Sequence, residues 1–426
     1  MGFPSSAFLG LFAILVATLT PVVVHMIKIG GPFLTPNPTV LGASQGPIVI
    51  EDTVHCEDLH HYRPANLLFT ACEDLKDTRF DWFPGLGHLD TKAAAGRGSI
   101  HVVDPKTFKS TRLDLENFNG PFVTHGIDVI EDPQNPAAVY IFAVNHLPNP
   151  EFISTSNTPD IPAARSQIEL FHHVLHSSTA QHIRAIQHPL IQTPNDIYAD
   201  SPNSLYVTND HFYRSGFLRL VEDVWPSAKW TNIIHVQLHE LHDIADATSS
   251  LTATVAHSGL WNNNGLGHAR SDSEIVISSA IGGELYLATP HENNTLSVRE
   301  TIVFDTVTDN PSYYVDPYAS AKHDASGFVI AGVSQGFYLP QTGRDPDALD
   351  AVQVWYAKKA GSGGEGAWEK RLLFEDDGRR IRSASAAVLV PVEKQEEQEE
   401  GDGVKKAWLF VTGFLSESMI AVQVVL

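Results

Sequence analysis

Cysteine is almost absent from this chain: Cys56 and Cys72 are the two in 426 residues. Two thiols outside a CxxC spacing cannot make a zinc site unaided, which leaves one disulfide or two buried thiols. Basic residues are also scarce. Lys and Arg number 28 against 50 Asp and Glu, a net charge of −22. That balance excludes the basic footprint of a nucleic-acid binder and suits a soluble surface or a holder of cations. Long apolar runs are missing beyond the N-terminus, yet the chain is 43% hydrophobic and 18% charged, as a globular protein with a sizeable core would be.

The first thirty residues are the exception. "AFLGLFAILVATLTPVVVHMI" (residues 7–27) carries no charge apart from His25 when protonated, and is long enough to span a bilayer, although Pro21 interrupts it. No Lys or Arg precedes the run and Lys28 follows it, so a membrane anchor and a cleaved signal peptide both fit. Either implies the secretory pathway, with a membrane-anchored or secreted product. Asn293-Asn294-Thr295 is a glycosylation sequon consistent with that route. Residues 31–54, with "GGPFLTPNPTV", read as a Gly- and Pro-rich tether, and the folded domain as residues 55–426.

Past residue 60 the apolar runs are short, rich in β-branched and aromatic residues, and come in pairs. "NLLFTAC" is followed by "GSIHVVDP", "VYIFAVNH" by "IELFHHVLH", "SLYVTND" by "NIIHVQL", "EIVISSA" by "GELYLATP", "FVIAGVS" by "VQVWYAKK" and "WLFVTG" by "MIAVQVV". Six such units predict an all-β fold, a six-bladed β-propeller behind an N-terminal hydrophobic helix. "FLRLVEDVW" (residues 217–225) has helical spacing and reads as an inserted helix in the third unit. "EKQEEQEEGDG" (residues 393–403) reads as a solvated acidic loop.

In a propeller, loops at one mouth converge on a central channel. The units bring polar residues to that position: Glu57 and Asp58, His125 with the strand-end Asn145 and His146, Asn195 and Asp196, Asn262 to Asn264 with His268, and Asp309 with Asn310. One Asn-Asp pair is usually turn chemistry. Carboxylates and carboxamides at one phase of several units instead form the oxygen set that a hard cation such as calcium takes.

In these residues the sequence resembles the paraoxonase/arylesterase family of six-bladed, calcium-dependent lactonases and aryl esterases. The matches run in chain order: Glu57-Asp58, His125-Gly126-Ile127, Asn145-His146, "ELF" at Glu169, Asn195-Asp196-Ile197, Thr208-Asn209-Asp210-His211, Asn264-Gly265 and Asp309-Asn310. The resemblance implies two Ca2+ ions. Glu57, Asn195, Asn264, Asp309 and Asn310 would hold a catalytic one. Asp58, Asp196 and the backbone carbonyl of Ile127 would hold a structural one. His125 and His146 match a proton-relay pair, and His211 a further active-site histidine. The implied substrates are small lactones or aryl esters, and the implied setting includes a lipid surface. Calcium would polarise the carbonyl while His125, Glu57 or Asp309 activates water. The sequence departs from the family in its cysteines. The C-terminal disulfide partner is missing and Cys72 lies near Cys56 instead, so a short bridge across the first blade, which is not the family's bridge, and two free thiols both stay open. The family's histidine in the fifth-blade loop is replaced near Ser334.

Other motifs lose on context. "GVSQG" fits a serine-hydrolase elbow, but Pro340, Gly343 and Pro346 follow, and no helix is expected there. "HELH" (residues 239–242) lacks the HExxH spacing and reads as a helical surface patch.

Overall fold

In the computed structural model, residues 5–42, 46–74, 76–92, 96–154, 161–242, 246–271, 273–320, 323–360, 367–392 and 405–426 are described. The acidic segment 393–403 lies outside them. Six separate sheets of four or five strands make the blades of a β-propeller, antiparallel except where the edge strand Asp114–Glu116 of blade two joins in parallel. The innermost strands are Asp58–Tyr62, Thr124–Asp132, Pro194–Ser201, Asn263–His268, Pro311–Tyr314 and Ala384–Pro391. The paired apolar runs of the sequence are the second and third strands of each blade, such as Leu67–Glu73 and Gly98–Asp104 in blade one.

Those runs are apolar because the second strands are covered on both faces: every residue of Leu67–Glu73 and of Gly327–Val333 is buried. The core lies between neighbouring blades. Val352, Val354 and Tyr356 of blade five pack with Leu389, Leu409 and Val411 of blade six. Phe142 and Val144 of blade two pack with Ile197 and Val207 of blade three. Each such side chain contributes roughly 1.5–3 kcal/mol by leaving water.

Residues 31–54, expected to be a tether, carry two short strands. Thr39–Val40 edges blade five. Ile48–Ile50 pairs with Met419–Val425 as the outer strand of blade six, in the register Ile48↔Ala421. The ring is therefore closed by one blade built from both ends of the chain. Three residues are too short a run to stand out from tether composition.

Four innermost strands begin with a register break, between Thr124 and Ile127, Pro194 and Ile197, Asn263 and Leu266, and Ala384 and Ala387. Each break lifts two residues out of the ladder, a bulge that re-aims side chains. Asn195-Asp196 and Asn264-Gly265 sit in these breaks. Poor strand formers thus occupy the positions where strand pairing is interrupted.

The N-terminal helix, Ser5–Gly30, runs unbroken through Pro21. A proline removes one backbone bond, and here the other bonds keep the helix continuous. Gly10–Gly30 is long and apolar enough to cross a membrane. Its C-terminal end rests on the propeller, where His25 Nε2 is 2.8 Å from the Ile281 carbonyl and Lys28 pairs with Asp305 at 2.8 Å. The expected insert is the helix Phe217–Val224. Trp261 connects the two helices: its indole donates to the Glu222 carbonyl, and its ring packs on His25.

Two local expectations are corrected. A 3-10 turn, Gly336–Tyr338, and a short helix, Leu339–Thr342, do follow "GVSQG", because Pro340 sits in the first helical turn, where it forfeits no bond. Ser334 Oγ is buried with no hydrogen-bond partner, so no base activates it. "HELH" is a loop after Leu238 rather than a helix.

Candidate active site

The register breaks and the segments leading into the innermost strands gather oxygen atoms at one place. Glu57 precedes Asp58–Tyr62, and the 309–310 pair precedes Pro311–Tyr314. Glu57 Oε2, Asn195 Oδ1, Asn264 Oδ1, Asp309 Oδ1 and Asn310 Oδ1 are all buried, and none has a hydrogen-bond partner. Asn264 and Asp309 are partly exposed as residues, but these oxygens are not. Asn310 Nδ2 donates to Glu57 Oε1 at 3.0 Å, bringing blades five and one together. Five orphaned oxygens each lose their hydration without compensation, which normally costs about 1–3 kcal/mol apiece. A hard cation supplies that compensation with the donor type it prefers.

Close approach of the backbones builds the basket. A Cβ on Gly126 would lie 2.3 Å from Asp196 Oδ1 and 2.6 Å from the Asn195 carbonyl. A Cβ on Gly265 would lie 2.6 Å from Asn310 Oδ1. Glycine is needed at both places for room, since neither has a positive φ.

Asp58 and Asp196 are bound differently. Asp58 accepts from the Leu59 N–H at 2.7 Å and the Ile127 N–H at 3.0 Å. Asp196 accepts from Ile197 at 2.7 Å and Leu266 at 2.6 Å. Each carboxylate thereby links its own innermost strand to that of the next blade. Burial pushes Asp58 up to about 6 against the pull of these donors. Burial, and then the charge of Asp58, raises Asp196 well above the carboxylate range. Glu57 is raised by burial, then by Asp309 and Asp58, and Asp309 by burial, then by Asp58 and Asp210. The carboxylates destabilise one another's charge, so the cluster favours a bound cation.

Beside the basket lies an imidazole chain. His125 Nδ1 is 2.8 Å from His146 Nε2, and His146 Nδ1 is 2.8 Å from Ser166 Oγ. His125 Nε2 faces Asn195 Nδ2 at 3.3 Å and Glu57 Oε1 at 3.7 Å. One consistent set of tautomers has each Nδ1 donating outward along the chain, leaving the His125 Nε2 lone pair toward the basket. Burial lowers His125 well below the usual imidazole value and takes His146 to about 3, so both are neutral at pH 7. Phe83 packs edge-on against both rings, and the Trp82 indole donates to the His146 carbonyl at 2.9 Å. A cavity of about 300 Å³ opens next to His146, Ser166 and Asp210, with apolar walls that include Leu89, Phe152 and Pro162.

His211 has a different environment. Its Nδ1 lies 3.0 Å from Asp210 Oδ1 and its Nε2 2.7 Å from Asp223 Oδ1 on the inserted helix. Burial alone would lower its pKa, but the Asp210 carboxylate, with Asp223, lifts it to about 9. It is a fixed cation at the mouth. Asp210 is held at about 2, since His211 and the more distant Arg219 and His125 overcome its burial.

Of the expected ligand residues, Glu57 and Asn310 are joined by a hydrogen bond, and Ile127 meets Asp58 through its N–H, whereas the expectation names its carbonyl. The Cys56–Cys72 disulfide, which the sequence left open, is formed and joins the residue before Glu57 to the second strand of blade one. Ser166, Phe83 and Asp223 were not anticipated. Ser166 is the cross-strand partner of His146, a relation visible only once the register is known. Asn263, within the "NNN" run, has both amide atoms buried without partners. Asn293 is exposed in the turn before Leu296–Val303.

A family model described as Arylesterase matches residues 80–321. The chain belongs to the paraoxonase/arylesterase family. That span holds every expected metal ligand and active-site histidine except Glu57 and Asp58. Among relatives, the chain is 28% identical over 243 residues to human serum paraoxonase/arylesterase 2, covering 55% of this chain and 58% of that one. It is 28% identical over 205 residues to mouse serum paraoxonase/arylesterase 1, covering 48% of each. The chain thus spans about half the length of the curated relatives it matches. Among solved structures it is similar to a luciferin-regenerating enzyme, with a TM-score of 0.43 and 11% identity over 89% of this chain and 95% of the other.

Proposed function

We propose that the protein is a calcium-dependent hydrolase of lactones and aryl esters, with its reaction at the basket of Glu57, Asn195, Asn264, Asp309 and Asn310. The observation that carries this reading is the set of five buried oxygens without partners, all in the residues the family resemblance names. A second ion would lie between Asp58 and Asp196 near the Ile127 carbonyl. There the fit rests on two raised carboxylates, since their oxygens already accept backbone bonds.

When bound, the calcium ion supplies a positive charge that polarises an ester carbonyl and favours the developing oxyanion. The chain's own groups do the rest. His125 Nε2 takes a proton from water, and the His146–Ser166 chain fixes its tautomer and orientation. Glu57 and Asp309 are the alternative bases beside the same oxygens. His211 adds a fixed positive charge and ties the inserted helix to the mouth through Asp223. The apolar cavity beside His146 accepts the aryl or alkyl part of the ester.

The secretory route is supported by the disulfide, which forms in oxidising compartments, and by the exposed sequon at Asn293. Phe217 and Leu220, at 75% and 56% exposed, face outward on the inserted helix near the apolar N-terminal helix. Together these elements would hold the mouth at a lipid surface. A mature chain that starts after Ile27 and partitions wholly into water would rule out the anchor. The hydrolytic reading is tested with a panel of lactones and aryl esters, assayed in calcium and in chelator. Turnover in calcium that disappears with chelator is expected, and no turnover of either class in calcium would refute it.

A further inference from the structure

The channel carries a second constellation on the far side of the Asp58–Asp196 pair. His60 lies two residues beyond Asp58 on the innermost strand of blade one, about 6.6 Å further along. Asp128 is on that strand of blade two and His268 on that of blade four. His60 Nδ1 is 2.8 Å from Asp128 Oδ1, and His268 Nε2 is 3.0 Å from Asp128 Oδ2. One ligand atom from each residue lies within 4.8 Å of the other two. Backbone donors fix the carboxylate, from Val129 at 2.9 Å to Oδ1 and from Ala199 at 2.7 Å to Oδ2. The cluster borders a solvent-connected cavity of about 320 Å³, so an ion has a route in. None of these three residues takes part in the hydrolytic site; His268, which the sequence grouped with Asn262 to Asn264, lies against Asp128 instead.

We propose that His60, Asp128 and His268 form a binding site for an imidazole-preferring divalent metal of the zinc type, separate from the calcium sites. The donor chemistry separates the two classes. The basket offers oxygens alone, as calcium prefers, whereas two imidazoles with one carboxylate suit zinc and its neighbours. Three protein ligands also leave a fourth position for water or a small ligand. In tetrahedral zinc sites neighbouring ligand atoms lie about 3.3 Å apart, close to the two His–Asp separations here. Widening those hydrogen bonds by a few tenths of an ångström and drawing the imidazoles together would admit the ion. The two N–H···O bonds would then give way to metal bonds, with the ligating nitrogens unprotonated. Such an ion would tie blades one, two and four across the channel at the mouth opposite the hydrolytic site.

Untagged protein saturated with calcium is titrated with zinc chloride by calorimetry, and cobalt(II) is followed by its visible spectrum. The expected result is about one equivalent bound per chain with no calcium released. His60→Gln and His268→Gln should each weaken binding at least about 100-fold while calcium content stays unchanged, since even outer-shell losses cost 10–100-fold. If either variant fails to fold, the wild-type melting temperature serves instead. Zinc at a hundred times its Kd should raise it by about 3 °C in the presence of calcium. Zinc that displaces calcium one for one, binding that both variants leave intact, or no binding by calcium-loaded wild type would overturn the proposal.

Discussion

The stabilisation that calcium gives this protein should shrink as pH falls from 7.5 to 5. Asp58 shows why. Its carboxyl titrates near 3.8 in the unfolded chain and at about 6 in the metal-free fold. Below the unfolded value it is protonated in both states and contributes nothing. Between the two values the fold holds a proton that the unfolded chain has lost, so stability falls as pH rises. By pH 7 the metal-free fold has lost about 3 kcal/mol on this account. Glu57, Asp196 and Asp309 act in the same direction, because burial and mutual repulsion raise all three. A bound ion removes that penalty, and protons compete with it. At pH 5 Asp58 alone should weaken its ion about tenfold, or about 1.4 kcal/mol. Buried histidines such as His61, His88 and His101, each lowered to about 4, have the opposite pH dependence. They act with and without calcium, so they cancel in the difference. With calcium at a hundred times Kd, each site adds about 2.7 kcal/mol at pH 7.5. For 426 residues that is about 3 °C per site. Scanning calorimetry of metal-free and calcium-loaded protein should therefore give a gap of about 6 °C at pH 7.5 and less than about 3 °C at pH 5. Equal gaps at both pH values, or no gap at 7.5, would refute the reasoning.

Four substitutions probe other parts of the protein. His125→Ala should lower kcat/KM by about 100- to 10,000-fold, whereas Ser166→Ala, which loosens only the end of the chain, should cost under about tenfold; steady-state kinetics on one lactone compares them. Cys56→Ser should lower unfolding free energy by about 3 kcal/mol in a denaturant titration, because the bridge closes a loop with a sequence separation of 16. Gly126→Ala places a methyl 2.3 Å from Asp196 Oδ1, and calcium titration should show affinity down at least about tenfold.

The second strands were legible because most of their residues are buried on both faces and must be apolar, and the third strands because a mostly buried apolar run is broken only by scattered half-exposed positions. Val352–Lys359 and Met419–Val425 match the apolar runs to the residue. The innermost strands were not legible as strands. Asn263–His268 contains two Asn and two Gly, a composition that reads as loop, and its pairing is interrupted between Asn263 and Leu266. The same composition is what exposed the site, since oxygen donors recur at one phase of successive units. The closure by Ile48–Ile50 carries no such signal. Nor could the sequence tell that the relay pair and His211 differ in charge. His125 and His146 are buried against Phe83 and neutral, whereas His211 sits between two carboxylates and is charged. Those differences come from neighbours supplied by distant blades and by the inserted helix.

The central claim is that hydrolysis happens where the five unpartnered oxygens meet. It is tested most directly by measuring bound calcium and ester turnover on the same samples of wild type, Asn264→Ala and Asp309→Ala. The wild type should hold two ions per chain and turn over substrate, while each variant should stay folded with one ion and no detectable turnover. A variant that hydrolyses at the wild-type rate, or that keeps both ions, would contradict the account.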